Sequence, residues 1–194
     1  MLALATFAAV RSGARTARIA ERSLLASLRP LLAPSRMDDS PVKVGFMDDK
    51  WFSVPGGGAV AETEDDALYL AIAVRNVGSG IAVLHGWYLH TEPLTGEVPH
   101  PAVEEFRRLT RDLYIAPGEI GFWQRAFRDP EDPMFADARR AIEEPRRLAV
   151  DVVYGDHELG QRSITRFALT PRPDGGWLAT VARHWNVDRP DPRS

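Results

Sequence analysis

Two runs near the middle of the chain repeat apolar residues with a period of two. The run at 67–77 aligns Leu68, Leu70, Ile72 and Val74 on one face, and the run at 80–90 aligns Ile81, Val83, His85, Trp87 and Leu89. A period of two is typical of β-strands, because successive side chains point to opposite faces of the sheet. These runs are the strongest strand predictions in the sequence.

Shorter runs with high β propensity lie on both sides of this pair, separated by turns rich in Gly, Pro and Asp. Strands of this length and spacing predict an all-β protein, specifically an immunoglobulin-like antiparallel β-sandwich. The further predicted strands cover residues 42–47, 51–54, 112–116, 120–127, 147–154, 162–170 and 177–185.

Two stretches between the predicted strands lack this alternation and predict short helical insertions. They are residues 100–111 and 129–145. In the second stretch, Asp132 is placed to cap a helix and Pro145 to end it.

The same patterns divide the chain into four segments. Residues 1–30 predict an N-terminal amphipathic helix, and residues 31–41 predict a proline-containing linker. Residues 42–188 form the predicted sandwich, and residues 189–194 a disordered tail.

The predicted N-terminal helix has a basic stripe. At about 100° per residue its arginines fall within roughly 60° of one another, opposite an apolar face. The stripe consists of Arg11, Arg15, Arg18, Arg22 and Arg29. Residues 1–10, which precede it, are apolar on all sides.

Charge is distributed unevenly along the chain. Residues 1–36 contain six arginines and one acid, a net of +5, which leaves −8 for the remainder of a chain whose total is −3. A basic N-terminal segment on an acidic body indicates an anionic partner for the segment. The acidic body argues against nucleic acid as a partner.

Three interpretations of residues 1–30 remain open. Ten apolar residues give about 15 Å of helix, half of the roughly 30 Å hydrocarbon core, so they reach into a membrane or form the end of a spanning helix that begins upstream. Alternatively, the helix is soluble and packs on the body or on a second copy. The third interpretation is a cleaved targeting peptide. Under the membrane interpretation, the arginines keep the sandwich on the cytoplasmic side.

The glycines at Gly78 and Gly80 follow an apolar run, as they do in a dinucleotide-binding loop. That loop needs a third glycine and a following helix, whereas residues 81–89 continue a strand pattern. The sequence therefore predicts a structural turn at Asn76, Gly78 and Gly80, in which the glycines adopt positive φ in a tight reversal.

The stretch "VRNVGSGIAVLHGW", preceded by a helix that ends in "LRPLL", resembles a group of uncharacterised bacterial membrane-anchored β-sandwich proteins with an RNVG(S/N)G turn. The resemblance implies a membrane-linked N-terminal helix followed by a sandwich over most of the chain. It implies no activity and no catalytic residue, because the shared motif is a structural turn.

Few chemistries are indicated. The chain contains no cysteine, which excludes disulfides, thiol catalysis and cysteine-ligated metals. His85 and His90 are five residues apart in one predicted strand, so they are expected on opposite faces and not as joint metal ligands. The sequence predicts no cofactor and no metal site.

The most site-like cluster lies at the end of the last predicted strand. It consists of His184, Trp185, Asn186 and Asp188, in which Asp188 is placed to orient His184. The favoured hypothesis is a membrane-tethered, non-catalytic binding module for an unknown protein or small ligand. The alternatives are a small-ligand-binding or hydrolytic enzyme that uses the His184 region, and a soluble protein that oligomerises through its N-terminal helix.

Overall fold

The computed structural model describes residues 13–21, 23, 24, 27–158 and 160–188. A 3-10 turn covers Val103–Glu105, and an α-helix covers Phe135–Glu143. The strands are β1 (Leu32–Pro34), β2 (Val42–Gly45), β3 (Trp51–Val54), β4 (Gly58–Glu64), β5 (Ala67–Asn76), β6 (Ala82–His90), β7 (Arg107–Ile115), β8 (Ile120–Phe127), β9 (Leu148–Gly155), β10 (Ser163–Pro171) and β11 (Trp177–Asn186). The prediction of an all-β fold is confirmed.

Nine strands form one antiparallel sheet in the described part of the chain. Its order is β7, β6, β9, β10, β11, β4, β5, β8, with β1 beside the end of β5. Leu70 pairs with Ala61 of β4 and with Arg125 of β8, so β4 and β8 lie on opposite edges of β5. Strands β7 and β8 are therefore the two edges of the sheet.

The sheet curls until residues near its two edges meet in the interior. The rings of Trp87 on β6 and Trp123 on β8 are 5.9 Å apart, and both side chains are fully buried. The predicted immunoglobulin-like sandwich is not confirmed, because these strands share one curled sheet. The second layer within the described residues is the hairpin β2–β3.

Strand β5 is buried on both faces, which explains why its sequence is apolar almost throughout. Its predicted face, from Leu68 to Val74, lies in the interior core. The alternate residues Tyr69, Ala71 and Ala73 pack in a second core beneath hairpin β2–β3. A strand covered on both sides needs apolar residues at both sets of positions.

One predicted helical insertion is present and the other is wrong. The helix Phe135–Glu143 lies within 129–145 and buries one face, including Phe135 and Ile142, in the interior core. The stretch 100–111 instead forms the 3-10 turn and the first half of β7. Pairing of β7 with β6 prevails there over local helical propensity.

The predicted N-terminal helix is described in part. Residues 13–21, 23, 24 and 27 have helical backbone and exposed side chains. Arg11 and Arg22 lie outside the described residues, as does the predicted tail at 189–194. Among the residues that the structure describes, no helix is long and apolar enough to cross a membrane.

The predicted linker contains a strand of the sheet. Within residues 31–41, Leu32–Pro34 form β1 and pair with Val74–Asn76 of β5. Ser35 continues the contact by donating its backbone N–H to the Ala73 carbonyl at 2.9 Å. The chain thus enters the sheet directly after Pro30, without a flexible spacer.

The prediction that Gly78 and Gly80 adopt positive φ is wrong. Glycine is needed at these positions because another part of the backbone packs closely against them. Neither glycine has positive φ, and β5 and β6 are not paired as a hairpin. A Cβ atom on Gly80 would overlap the carbonyl of Leu28, and one on Gly78 would overlap the backbone of Arg29 and Leu31. The loop lies directly against the incoming chain.

We expect Gly80→Ala to lower the free energy of unfolding by about 2 kcal/mol or more, because the new methyl group forces two backbone segments apart. The control is Gly160→Ala, whose Cβ would meet its nearest atom, in the Asp156 carboxylate, at 3.6 Å. Urea unfolding measures both variants. An unchanged midpoint for Gly80→Ala would contradict the close packing.

Candidate functional site

His184 lies on the interior side of the sheet, in a small polar cluster. Its Nδ1 is 2.9 Å from Thr165 Oγ1 and 3.4 Å from the Tyr154 hydroxyl. The same hydroxyl accepts a hydrogen bond from the backbone N–H of Leu32 at 3.1 Å. The cluster therefore joins β9, β10 and β11 to the incoming strand β1.

Trp185 lies on the opposite, outer face of the sheet and is covered. Its indole is 6% exposed. The Arg166 and Arg183 guanidinium groups lie 4.8 and 5.5 Å from its ring centroid, and the His100 ring lies 5.3 Å away. These groups occupy the surfaces that a ligand would need for stacking on Trp185.

Asp188 binds Arg162 instead of orienting His184. Its carboxylate accepts from the Arg162 backbone N–H at 2.6 Å and from the guanidinium at 2.7 Å. The hydrogen bond from Arg162 lowers the pKa of Asp188 below its usual value. Asn186 is half-buried and borders a very small cavity beside this ion pair. The four residues of the predicted cluster therefore do not form one site.

Asn76 has a structural position, at the meeting point of several segments. Its side-chain amide donates to the carbonyls of Gly80 at 2.6 Å and Ile115 at 3.0 Å. Its oxygen accepts from the backbone N–H groups of Leu31 at 3.2 Å and Gly78 at 3.0 Å. The side chain is fully buried, with both of its polar atoms hydrogen-bonded.

The expectation that His85 and His90 lie on opposite faces is wrong. The pairing of β6 with both neighbours shifts between Leu84 and Gly86, which is a β-bulge at His85. The bulge breaks the alternation, so Leu84 and Trp87 both face the interior core although they are three residues apart. His85 and His90 consequently both lie on the outer face.

The two histidines nevertheless have different surroundings. His90 Nε2 is 3.0 Å from the Asp151 carboxylate, which Arg166 binds through two hydrogen bonds at 2.6 and 2.7 Å. Burial alone would raise the pKa of Asp151, but the hydrogen bonds from Arg166 and His90 lower it below its usual value. His85 borders a separate groove, and burial lowers the pKa of its imidazole.

The most distinctive cavity opens between the edge strands β7 and β8, a gap that we call the seam. The seam is narrow at the β7–β8 turn, where a Cβ on Gly121 would lie 2.7 Å from the Ile115 side chain. Farther from the turn the strands separate around a cavity of about 550 Å³. Hairpin β2–β3 forms its third wall.

The seam cavity is lined by four cations from three segments, β2, β7 and the second half of β8 with the residue after it. They are Lys43, Arg111, Arg125 and Arg128, and the described lining includes no acidic residue. Arg128 binds Asp48, which is not among the lining residues, at 3.0 Å. Within the described residues, Lys43, Arg111 and Arg125 have no carboxylate at ion-pair distance. The described lining of the cavity therefore carries a net positive charge.

Arg125 is the least satisfied of these cations. The central carbon of its guanidinium group lies 5.2 Å from the Trp87 ring centroid and 5.6 Å from that of Phe127. Its buried Nε has no hydrogen-bond acceptor among the described residues. Burial, reinforced by the nearby Arg107 cation, lowers the pKa of Arg125. The charge of Asp132 opposes this lowering, but both of its oxygens bind Arg107, at 2.6 and 2.9 Å, and neither lies at ion-pair distance from Arg125.

Aromatic side chains complete the cavity. Trp51 packs one face of its indole on Gly45, where an added Cβ would lie 2.8–2.9 Å from the ring, and remains 70% exposed. Phe122 lies on the opposite wall, with the Arg111 guanidinium 5.9 Å from its ring centroid. When the Gln124 amide is oriented so that its oxygen and its nitrogen are both hydrogen-bonded, the oxygen accepts from Arg111 at 2.7 Å and the nitrogen donates to the Gly45 carbonyl at 3.3 Å.

Sequence reasoning did not identify the seam cavity, because its residues come from segments far apart in the chain. No spacing rule in the sequence links β7 and β8 to hairpin β2–β3. No group of three or more His, Asp or Glu side chains suited to a metal occurs in the described part of the chain.

Comparisons with family models, curated proteins and solved structures give no match to this chain. The resemblance to membrane-anchored proteins with an RNVG(S/N)G turn therefore stays a prediction.

The buried cluster around His184 gives a test at high pH. Burial raises the pKa of Tyr154 to about 12, from an ordinary value of 10.0. Folding thus favours the neutral phenol, so its contribution to stability is complete below pH 10 and is lost as the pH rises through 12. We expect a loss of about 2 kcal/mol by about pH 11.5 that Tyr154→Phe does not show.

The measurement is urea unfolding of both proteins between about pH 9 and pH 11.5, where only the difference between the two slopes reports on Tyr154. Parallel slopes would mean that this phenol titrates normally in the folded protein.

Proposed function

We propose that this protein is a non-catalytic binding module, held at a membrane by residues 1–28, and that its ligand is an anion bound in the seam cavity. The observation on which the ligand site rests is that Lys43, Arg111, Arg125 and Arg128 line one cavity whose described lining contains no acid. Desolvated cations without partners are costly, and a bound anion offsets that cost.

Charged side chains on edge strands also prevent edge-to-edge association. That role explains an exposed arginine such as Arg111 on β7. It does not account for the buried Nε of Arg125, which has no hydrogen-bond acceptor among the described residues. The position of Arg125 therefore favours a binding role.

The tether proposal rests on the N-terminal segment. The described side chains of residues 13–21, 23 and 24 are exposed, including Ile19 at 59% and Leu24 at 60%. They do not pack on the sheet, which supports a partner outside it. Anionic lipid headgroups suit Arg15 and Arg18, since each basic residue near such a surface contributes roughly 1 kcal/mol.

Arg29 was predicted to belong to the basic stripe, but it has a different role. Its guanidinium donates to Ser163 Oγ at 3.2 Å, and its carbonyl accepts from the Ser79 backbone N–H at 3.0 Å. The proposed membrane segment therefore ends before Arg29.

The hydrolytic alternative loses its geometric basis. It required Asp188 to orient His184, and Asp188 instead binds Arg162. A non-catalytic module needs only the seam cavity to bind its ligand and the N-terminal segment to attach it to the membrane.

We expect the protein to bind tripolyphosphate, measured by isothermal titration calorimetry at low ionic strength, and the affinity to fall as salt is added. The double variant Arg111→Gln/Arg125→Gln should weaken binding at least about tenfold, because hydrogen bonds to charged groups contribute roughly 1.5–3 kcal/mol each. The matched control is Arg139→Gln/Arg140→Gln on the helix Phe135–Glu143, which makes the same charge change outside the cavity. Equal losses in both variants, or no binding by the unchanged protein, would refute the anion site.

The tether is tested separately by fractionation of the native protein, a high-salt wash and protease accessibility in intact cells. We expect recovery with membranes and protection of the sheet from external protease. Replacing Arg11, Arg15, Arg18 and Arg22 by glutamine should weaken attachment without changing the melting temperature, whereas Arg29→Gln should lower the melting temperature. Recovery wholly in the soluble fraction would rule out the tether, and digestion from outside would rule out the orientation.

A further inference from the structure

We propose that the seam cavity binds a nucleoside phosphate, with the phosphates among the cations and the base stacked on Trp51. This inference rests on the proposed anion site and adds the chemical class of the ligand. It follows from two features of the lining, the number of cations and the position of an exposed aromatic ring.

The number of cations favours a ligand with several negative charges. Four basic side chains line one cavity, and in the described residues only Arg128 among them has a carboxylate partner. A single carboxylate would leave several cations unmatched. A chain of phosphates offers many acceptor oxygens, and guanidinium forks bind such oxygens through paired hydrogen bonds.

Trp51 supplies a surface for a planar ring. Its indole is held from behind by Gly45, its cross-strand partner, so the ring orientation is set by backbone packing. The tryptophan is 70% exposed, whereas Trp87, Trp123, Trp177 and Trp185 are at most 6% exposed. An exposed, oriented indole beside cations is the arrangement that stacks a nucleobase whose phosphates are bound nearby.

The size and shape of the cavity agree with a small ligand. A volume of about 550 Å³ lies within the range of sites for small molecules. A flat membrane surface fits less well, because the cations line a concave cavity in which hairpin β2–β3 forms one wall.

The test compares ATP, tripolyphosphate and adenosine by isothermal titration calorimetry without divalent cations. We expect ATP to bind at least about tenfold more tightly than tripolyphosphate, because base stacking adds to phosphate binding. Trp51→Leu should remove this difference and leave tripolyphosphate binding unchanged. The control Met47→Leu alters another exposed residue of the lining and should retain the difference.

The outcomes separate this inference from the proposed function. If ATP and tripolyphosphate bind equally, the stacking is refuted and the anion site stands. If neither binds, both proposals fail. Adenosine binding as tightly as ATP would show that the cations are not used. Binding to phosphatidylglycerol vesicles without binding to ATP would make the cavity a membrane-docking surface and overturn the nucleoside phosphate.

Discussion

One buried amide fixes how the main segments of this protein meet. Asn76 ends β5, and its side chain bonds to Leu31 at the entry of the chain, to Gly78 and Gly80 in the following loop, and to Ile115 at the end of β7. Its backbone also bonds to the β7–β8 turn, through Glu119 and Gly118 at 3.1 and 2.8 Å. A buried amide with every group paired is specific as well as stabilising, because any other arrangement would leave its donors or acceptors unpaired.

The seam follows from this attachment. The turn between β7 and β8 bonds to Asn76, so the two edges of the sheet are held together at that end. Away from it, β7 pairs with β6 and β8 pairs with β5, and the two strands diverge. The curl therefore remains open over part of its length, where hairpin β2–β3 and the cations surround the cavity. A fully paired sheet would have no gap at this position.

The contacts around Asn76 also fix how the N-terminal segment joins the sheet. Leu28 and Arg29 lie against Gly78 and Gly80, and Leu32 bonds to the Tyr154 cluster. Under the proposed tether, the domain would leave the membrane in a fixed direction and not swing on a linker. Arg29, held at Ser163, would mark the point where the membrane segment ends and the sheet begins.

The sequence predicted the features that a local residue pattern determines and missed those that depend on contacts between distant segments. Strand β5 was found because burial on both faces leaves an unmistakable apolar run. The stretch 100–111 was mistaken for a helix because its strand character comes from pairing with β6. The glycines at 78 and 80 were placed correctly in a loop but for the wrong reason, since the backbone that approaches them lies about 50 residues earlier. The cavity was missed because its cations meet only after the sheet curls.

The central claim, an anion site in the seam, is tested most directly by locating a bound anion with two-dimensional NMR of the tryptophan indole and arginine side-chain N–H groups. With tripolyphosphate added, the signals of Trp51, Arg111 and Arg125 should shift, while Trp185, covered by Arg166 and Arg183 on the outer face, should stay in place. Shifts confined to Trp185 and its arginines, or to Arg108 and Arg162 in the groove beside His85, would place the anion elsewhere and contradict the seam as the binding site.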